Sequence, residues 1–221
     1  MAIPVAPMAL PAADDDNGGQ FTMHHVVDTH MRGKALSVVY MNDLVSVESS
    51  IQTMEQFLVE DKYQVVGFDL EYTIGRAGND QKVVDAQLCM QHDVLIYHYH
   101  LATRPCERFS RFINSSNYNF ATVDTTNDLK ALKVSGLKCR NLVNIQDHYK
   151  VWGSDNNKLN SLVNLASAII DPYYMKMKDE SKKDKNAWHS VWHKRLDEQH
   201  VKYYTSYKMY RQIVAMRKCL L

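Results

Sequence analysis

No sign of charge dominates this chain. Its 26 lysines and arginines face 25 aspartates and glutamates, a formal net charge of +1, so there is no global pull towards nucleic acid or membrane, and any basic binding surface must be local. Cysteine is sparse too. Cys89, Cys106, Cys139 and Cys219 are scattered without a Cys-x-x-Cys, which argues against a zinc knuckle and a disulfide framework and makes a reducing compartment the default. The apolar opening Met1 to Pro11 lacks a basic leader and holds three prolines, so it fits neither a secretory signal nor a spanning helix. Gly75 and Gly78 do not follow a phosphate-loop spacing. No dense basic signal marks a compartment, and a soluble intracellular protein, nuclear or cytoplasmic, is the expectation. With 221 residues the chain has enough length for one domain with a real core, or one domain with a tail.

What is present reads as alternating strands and helices. Residues 1–20, rich in Ala and Pro and then in Asp and Gly, are expected to form a disordered tail, with one folded domain over 21–221. Leu36 to Met41 has the β-branched and aromatic content of a strand, and Val45 to Val59 places Val47, Ile51, Met54, Phe57 and Leu58 at helical spacing. Val65 to Glu71 is a strand, and Val83 to Met90 with Val94 to His98 form a hairpin. A helix from about Pro105 to Asn114 precedes a short strand near Phe120 to Val123. Thr125 or Thr126 is a cap for a helix over Asp128 to Val134, which Gly136 ends. Beyond Leu142 to Ile145, Leu159 to Ile170 and Gln199 to Met216 read as helices, separated by a solvated charged stretch from Lys176 to Lys185. This order implies an α/β domain with a mixed sheet flanked by helices.

Within that frame Phe68-Asp69-Leu70-Glu71 carries the most chemistry. On a strand, the period of two sends Asp69 and Glu71 to one face and Leu70 to the other. Paired carboxylates at a strand end repel unless a cation lies between them, and hard oxygen donors suit Mg²⁺ or Mn²⁺. Acidic pairs also end ordinary strands, so the pair alone does not establish a metal site.

Three segments taken in order are more specific: Val65 to Glu71, then Val84-Asp85-Ala86-Gln87-Leu88-Cys89, then Asn127-Asp128-Leu129-Lys130-Ala131-Leu132. Together they resemble the 3′-5′ exonuclease family with four acidic metal ligands, the group that includes ribonuclease D and the Werner syndrome exonuclease domain, and in particular its plant Werner-like branch. The resemblance spans about residues 36–215. It implies a ribonuclease H-like fold, a substrate with a single-stranded or 3′-ended nucleic acid, and phosphodiester hydrolysis assisted by two Mg²⁺ or Mn²⁺ ions. By motif position, Asp69 would bridge both ions, Glu71 would serve the water-activating ion, and Asp128 would serve the second. Read by itself, Asp128 is an ordinary acid in a first helical turn, favoured by the helix dipole.

The last family motif departs from the pattern. It calls for a Leu, a Tyr seven residues later that helps orient the attacking water, and an Asp four residues beyond. Here Leu196 is followed by Tyr203-Tyr204-Thr205-Ser206-Tyr207, so Tyr203 takes the tyrosine place and Tyr207 the place of the acid. A register one residue on selects Tyr204 and Lys208. Neither restores a carboxylate, and a phenol is a poor ligand for a hard cation. The expectation is therefore a nucleic-acid-binding protein with a weak or partial metal site and impaired hydrolysis. The alternative is a noncatalytic scaffold for a protein partner. A third reading keeps full activity, with Asp197 or Glu198 as a replacement acid.

Weaker signals have simpler accounts. Tyr203, Tyr207 and Tyr210 recur at helical spacing and suit either a base-stacking face or core packing. His98 and His100, and His189 and His193, mimic metal-ligand spacings, but no third ligand supports zinc.

Overall fold

Asp43 starts the first long helix by accepting hydrogen bonds from the Ser46 amide at 2.8 Å and the Ser46 hydroxyl at 2.6 Å, which fixes the N-cap. That helix, α1 (Leu44–Glu60), buries Val47, Ile51, Met54 and Leu58 along one stripe, matching the spacing seen in the sequence. Among the described residues it crosses a sheet of seven strands. The computed structural model describes residues 19–28, 35–73, 81–149, 161–175 and 193–204. The expected tail, except Gly19 and Gln20, lies outside the described residues. So do the charged stretch from Lys176 to Lys185, His189, and everything after Tyr204, including Tyr207, Lys208 and Tyr210.

The strands are β1 (Thr22–Asp28), β2 (Ala35–Met41), β3 (Val65–Tyr72), β4 (Val83–Met90), β5 (Asp93–His98), β6 (Asn119–Thr122) and β7 (Leu142–Asn144), in the spatial order β1-β2-β5-β4-β3-β6-β7. β4 runs antiparallel to β3 and β5, β6 runs parallel to β3 and β7, and β2 runs parallel to β5. The stretch β5-β4-β3-β6-β7 is a ribonuclease H-like mixed sheet, extended at the β5 side by β2 and the antiparallel edge strand β1.

The described helices after α1 are α2 (Glu107–Ile113), α3 (Thr125–Val134), α4 (Ile145–His148), α5 (Leu162–Ile169) and α6 (Glu198–Tyr204). One sheet face meets α1 and α2 over a ring cluster in which Phe120 packs edge-on against Phe68 at 5.8 Å and Phe112 at 5.4 Å between centroids. The opposite face holds a smaller cluster in which Leu165 of α5 is buried with Val65, Ala121 and Ile145. β4 lies beneath both layers and is buried at all eight residues.

Three details differ from the sequence reading. β1 has no counterpart there, although Phe21, His25 and Val27 are buried and alternate with exposed Thr22, His24 and Val26. α2 begins after Cys106, whose thiol accepts from the Phe109 amide, so Pro105 precedes the cap. α3 begins at Thr125 because Asp124 adopts a left-handed backbone with φ of 63° and turns the chain into the helix without a side-chain cap. Its far end closes as expected: Gly136 has φ of 70°, and the Leu137 amide donates to the Leu132 carbonyl at 2.9 Å.

Candidate functional site

β3 presents Asp69 and Glu71 on one face, opposite Gln87 and Asp85 of β4 respectively. Leu70 points into the core on the other face. At the end of this pairing the register shifts between Glu71 and Tyr72, so that Tyr72 falls opposite Val83. A bulge of this kind re-aims the side chain beside it. Tyr72 reaches α3, where its hydroxyl donates to Asp128 Oδ1 at 2.5 Å.

Asp128 stands in the first turn of α3 and is only 2 % exposed. Its second carboxylate oxygen accepts from the Thr122 hydroxyl at 3.0 Å, at the end of β6. The Cys139 thiol lies close by: burial, and then the Asp128 charge, push its pKa up to about 12. Tyr72 ties the three predicted acids together. Burial raises its pKa most, followed by the charge of Asp128, the hydrogen bond to Asp128, and the charges of Asp69 and Glu71. Asp69, Glu71 and Asp128 therefore all lie within electrostatic reach of one phenol.

Carboxylate oxygens suit a hard divalent cation, which usually takes six oxygen ligands. Asp69, Glu71 and Asp128 are the residues that could offer such oxygens. Both Asp128 oxygens are engaged by hydroxyl groups, and among the described residues no three His, Cys, Asp or Glu side chains are grouped so as to hold a metal ion.

Behind the acids runs a polar seam that sequence reading missed. Asp85 is wholly buried opposite Glu71, and desolvation followed by the Glu71 charge raises its pKa well above that of an ordinary carboxyl group. Its Oδ1 lies 3.3 Å from Nδ1 of the buried His98. That distance is close, but among the described residues neither Asp85 oxygen has a hydrogen-bond partner, and the raised Asp85 and lowered His98 pKa values make this a contact between neutral groups rather than an ion pair. Desolvation, with a smaller contribution from His100, pulls the His98 pKa down to about 3. The Tyr40 hydroxyl accepts from the Leu196 amide at 2.9 Å and sits 2.6 Å from His98 Nδ1, so its own proton points to that nitrogen. An acid inside an otherwise apolar strand was the available signal: the period of two puts Asp85 on the face of Gln87.

The seam anchors the approach to α6. Leu196 is buried, Arg195 stacks its guanidinium over the Phe21 ring at 4.7 Å, and Val201 of α6 enters the core. Tyr203 lies on the described backbone of α6, but its side chain is outside the described residues. Asp197 accepts from the His200 amide at 2.8 Å and has its carboxylate 2.7 Å from His200 Nδ1, a local turn at the start of α6. His98 and His100 do not act together, since His98 is buried at the end of β5 and His100 is exposed in the following 3₁₀ turn.

No protein-family model matches the chain and no curated protein matches its sequence. Solved structures do. The chain is similar to the catalytic core of RRP6 from Trypanosoma brucei, with TM-score 0.59 and 14% identity over 81% of this chain and 46% of that one. It is similar to Escherichia coli RNase D, an exoribonuclease involved in structured RNA processing, with TM-score 0.62 and 13% identity over 82% and 44%. A third likeness is to T. brucei RNase D in complex with RNA U12, with TM-score 0.63 and 12% identity over 83% and 62%. The chain thus spans less than two thirds of the length of each. Its fold is the one these exonuclease structures share.

Proposed function

We propose that this chain is a nucleic-acid-binding protein of the 3′-5′ exonuclease lineage, of the Werner-like branch, in which metal-dependent hydrolysis is weak or absent. The carrying observation is Asp128. Like Asp69 and Glu71 it lies within electrostatic reach of the Tyr72 phenol, and both of its oxygens accept from hydroxyl groups. The sequence adds a final motif with Tyr203 but without a carboxylate four residues on. Asp69, Glu71 and Asp128 then offer Mg²⁺ or Mn²⁺ a partial seat, and Tyr203 has no complete site to serve. No described helix is long and apolar enough to cross a membrane. The proposed setting is intracellular, where single-stranded or 3′-ended nucleic acid is the partner.

Fluorescence anisotropy with labelled single-stranded RNA and DNA, in EDTA and at low salt, tests the binding half of this reading. The expected result is saturable binding that weakens as salt is added, because phosphate contacts release counterions. No affinity for any strand would overturn the proposal and favour a scaffold for a protein partner.

A further inference from the structure

We propose that the Tyr72 hydroxyl is a built-in competitor of divalent cations for Asp128, holding that carboxylate in a closed, metal-free arrangement with Thr122 behind it. This deepens the functional reading, because it rests on Asp69, Glu71 and Asp128 being cation-facing acids.

Three observations converge on it. The register shift after Glu71 turns Tyr72 out of the strand alternation and brings its hydroxyl to Asp128 Oδ1 at 2.5 Å. Thr122 occupies Oδ2 from the neighbouring strand, so the carboxylate is held from two sides. A bond from a phenol to a carboxylate is charge-assisted, short and directional, and it competes with a cation for the lone pairs of the same oxygen. Tyr72 is half-buried and not locked in the core, so the competition is an equilibrium that a cation can shift.

The test measures Mn²⁺ binding by the loss of the free-ion electron paramagnetic resonance signal, on the full chain. Tyr72→Phe keeps the ring and removes the donor. It is expected to tighten Mn²⁺ binding by about tenfold or more, the scale of one hydrogen bond to a charged group, and Asp128→Asn added to that variant is expected to abolish the gain. Should Tyr72→Phe fail to fold, Tyr72→Met removes the hydroxyl with a flexible apolar side chain and carries the same expectation. Unchanged Mn²⁺ affinity in a folded variant without the hydroxyl overturns the proposal, as does a gain that survives Asp128→Asn. Strand binding in EDTA, measured on the same variants, involves no metal, so failure of the functional reading shows there and failure of the Tyr72 lock shows in the Mn²⁺ titration.

Discussion

His98 is the side chain whose environment most directly sets a pH response. Its folded pKa, pulled down to about 3 by desolvation, lies below the value of about 6.5 for the free side chain. The unfolded chain therefore takes up a proton that the folded protein refuses. Stability is unaffected by His98 near pH 7 and declines as the pH falls from about 6.5 towards 3, by up to about 5 kcal/mol in total. Asp85 acts in the opposite sense: its raised pKa means the folded form keeps a proton that the unfolded chain releases, which weighs against stability as the pH rises above about 3.9. Substitution separates the two. His98→Gln retains a polar side chain but cannot titrate, and urea unfolding between pH 7 and pH 4 should show a flatter loss of stability than in the native chain. An equally steep loss in both would show that His98 is not the cause. At this scale Asp69 and Glu71 were legible, because alternation along a strand needs only the sequence. Tyr72 was not, because the shift that turns it towards α3 arises from how β3 pairs with β4, and local sequence does not encode that register.

Among the elements, the approach to α6 depends on one hydroxyl. Tyr40 of β2 satisfies the buried Leu196 amide and His98 Nδ1 together, joining β2, β5 and the segment that leads into α6. Tyr40→Phe leaves both unpaired, and the expected cost is about 1–3 kcal/mol in chemical denaturation, with faster amide exchange at Leu196. Unchanged exchange there would remove Tyr40 from this role. Elements whose patterns are strongly periodic were read correctly: α1 from its apolar stripe, β3 from its buried run, and the β4 and β5 hairpin from two runs with a short link. β1 escaped because His24 and His25 interrupt its apolar content, and burial of His25 comes from pairing with β2 rather than from propensity. The start of α3 was misplaced because Asp124 takes a left-handed backbone that few non-glycine residues adopt.

At the scale of the whole molecule, the mixed α/β architecture followed from the order of strands and helices, and three ordered motifs added its ribonuclease H-like form. That the acids gather about one phenol was beyond the sequence, since β3 meets β6 and α3 from a distant stretch of the chain, as the Tyr72 to Asp128 separation of 56 illustrates. The sheet brings them around Tyr72 and then occupies Asp128 with hydroxyl groups. Incomplete assembly of a cation site is therefore the central claim, and loss of about 4 kcal/mol of transition-state stabilisation corresponds to about a thousandfold in rate. The most direct measurement follows a 5′-labelled single strand, shown to be bound by anisotropy, during incubation with Mn²⁺. The account predicts a bound strand that stays essentially intact; rapid shortening from its 3′ end, abolished by Asp69→Ala, would contradict it.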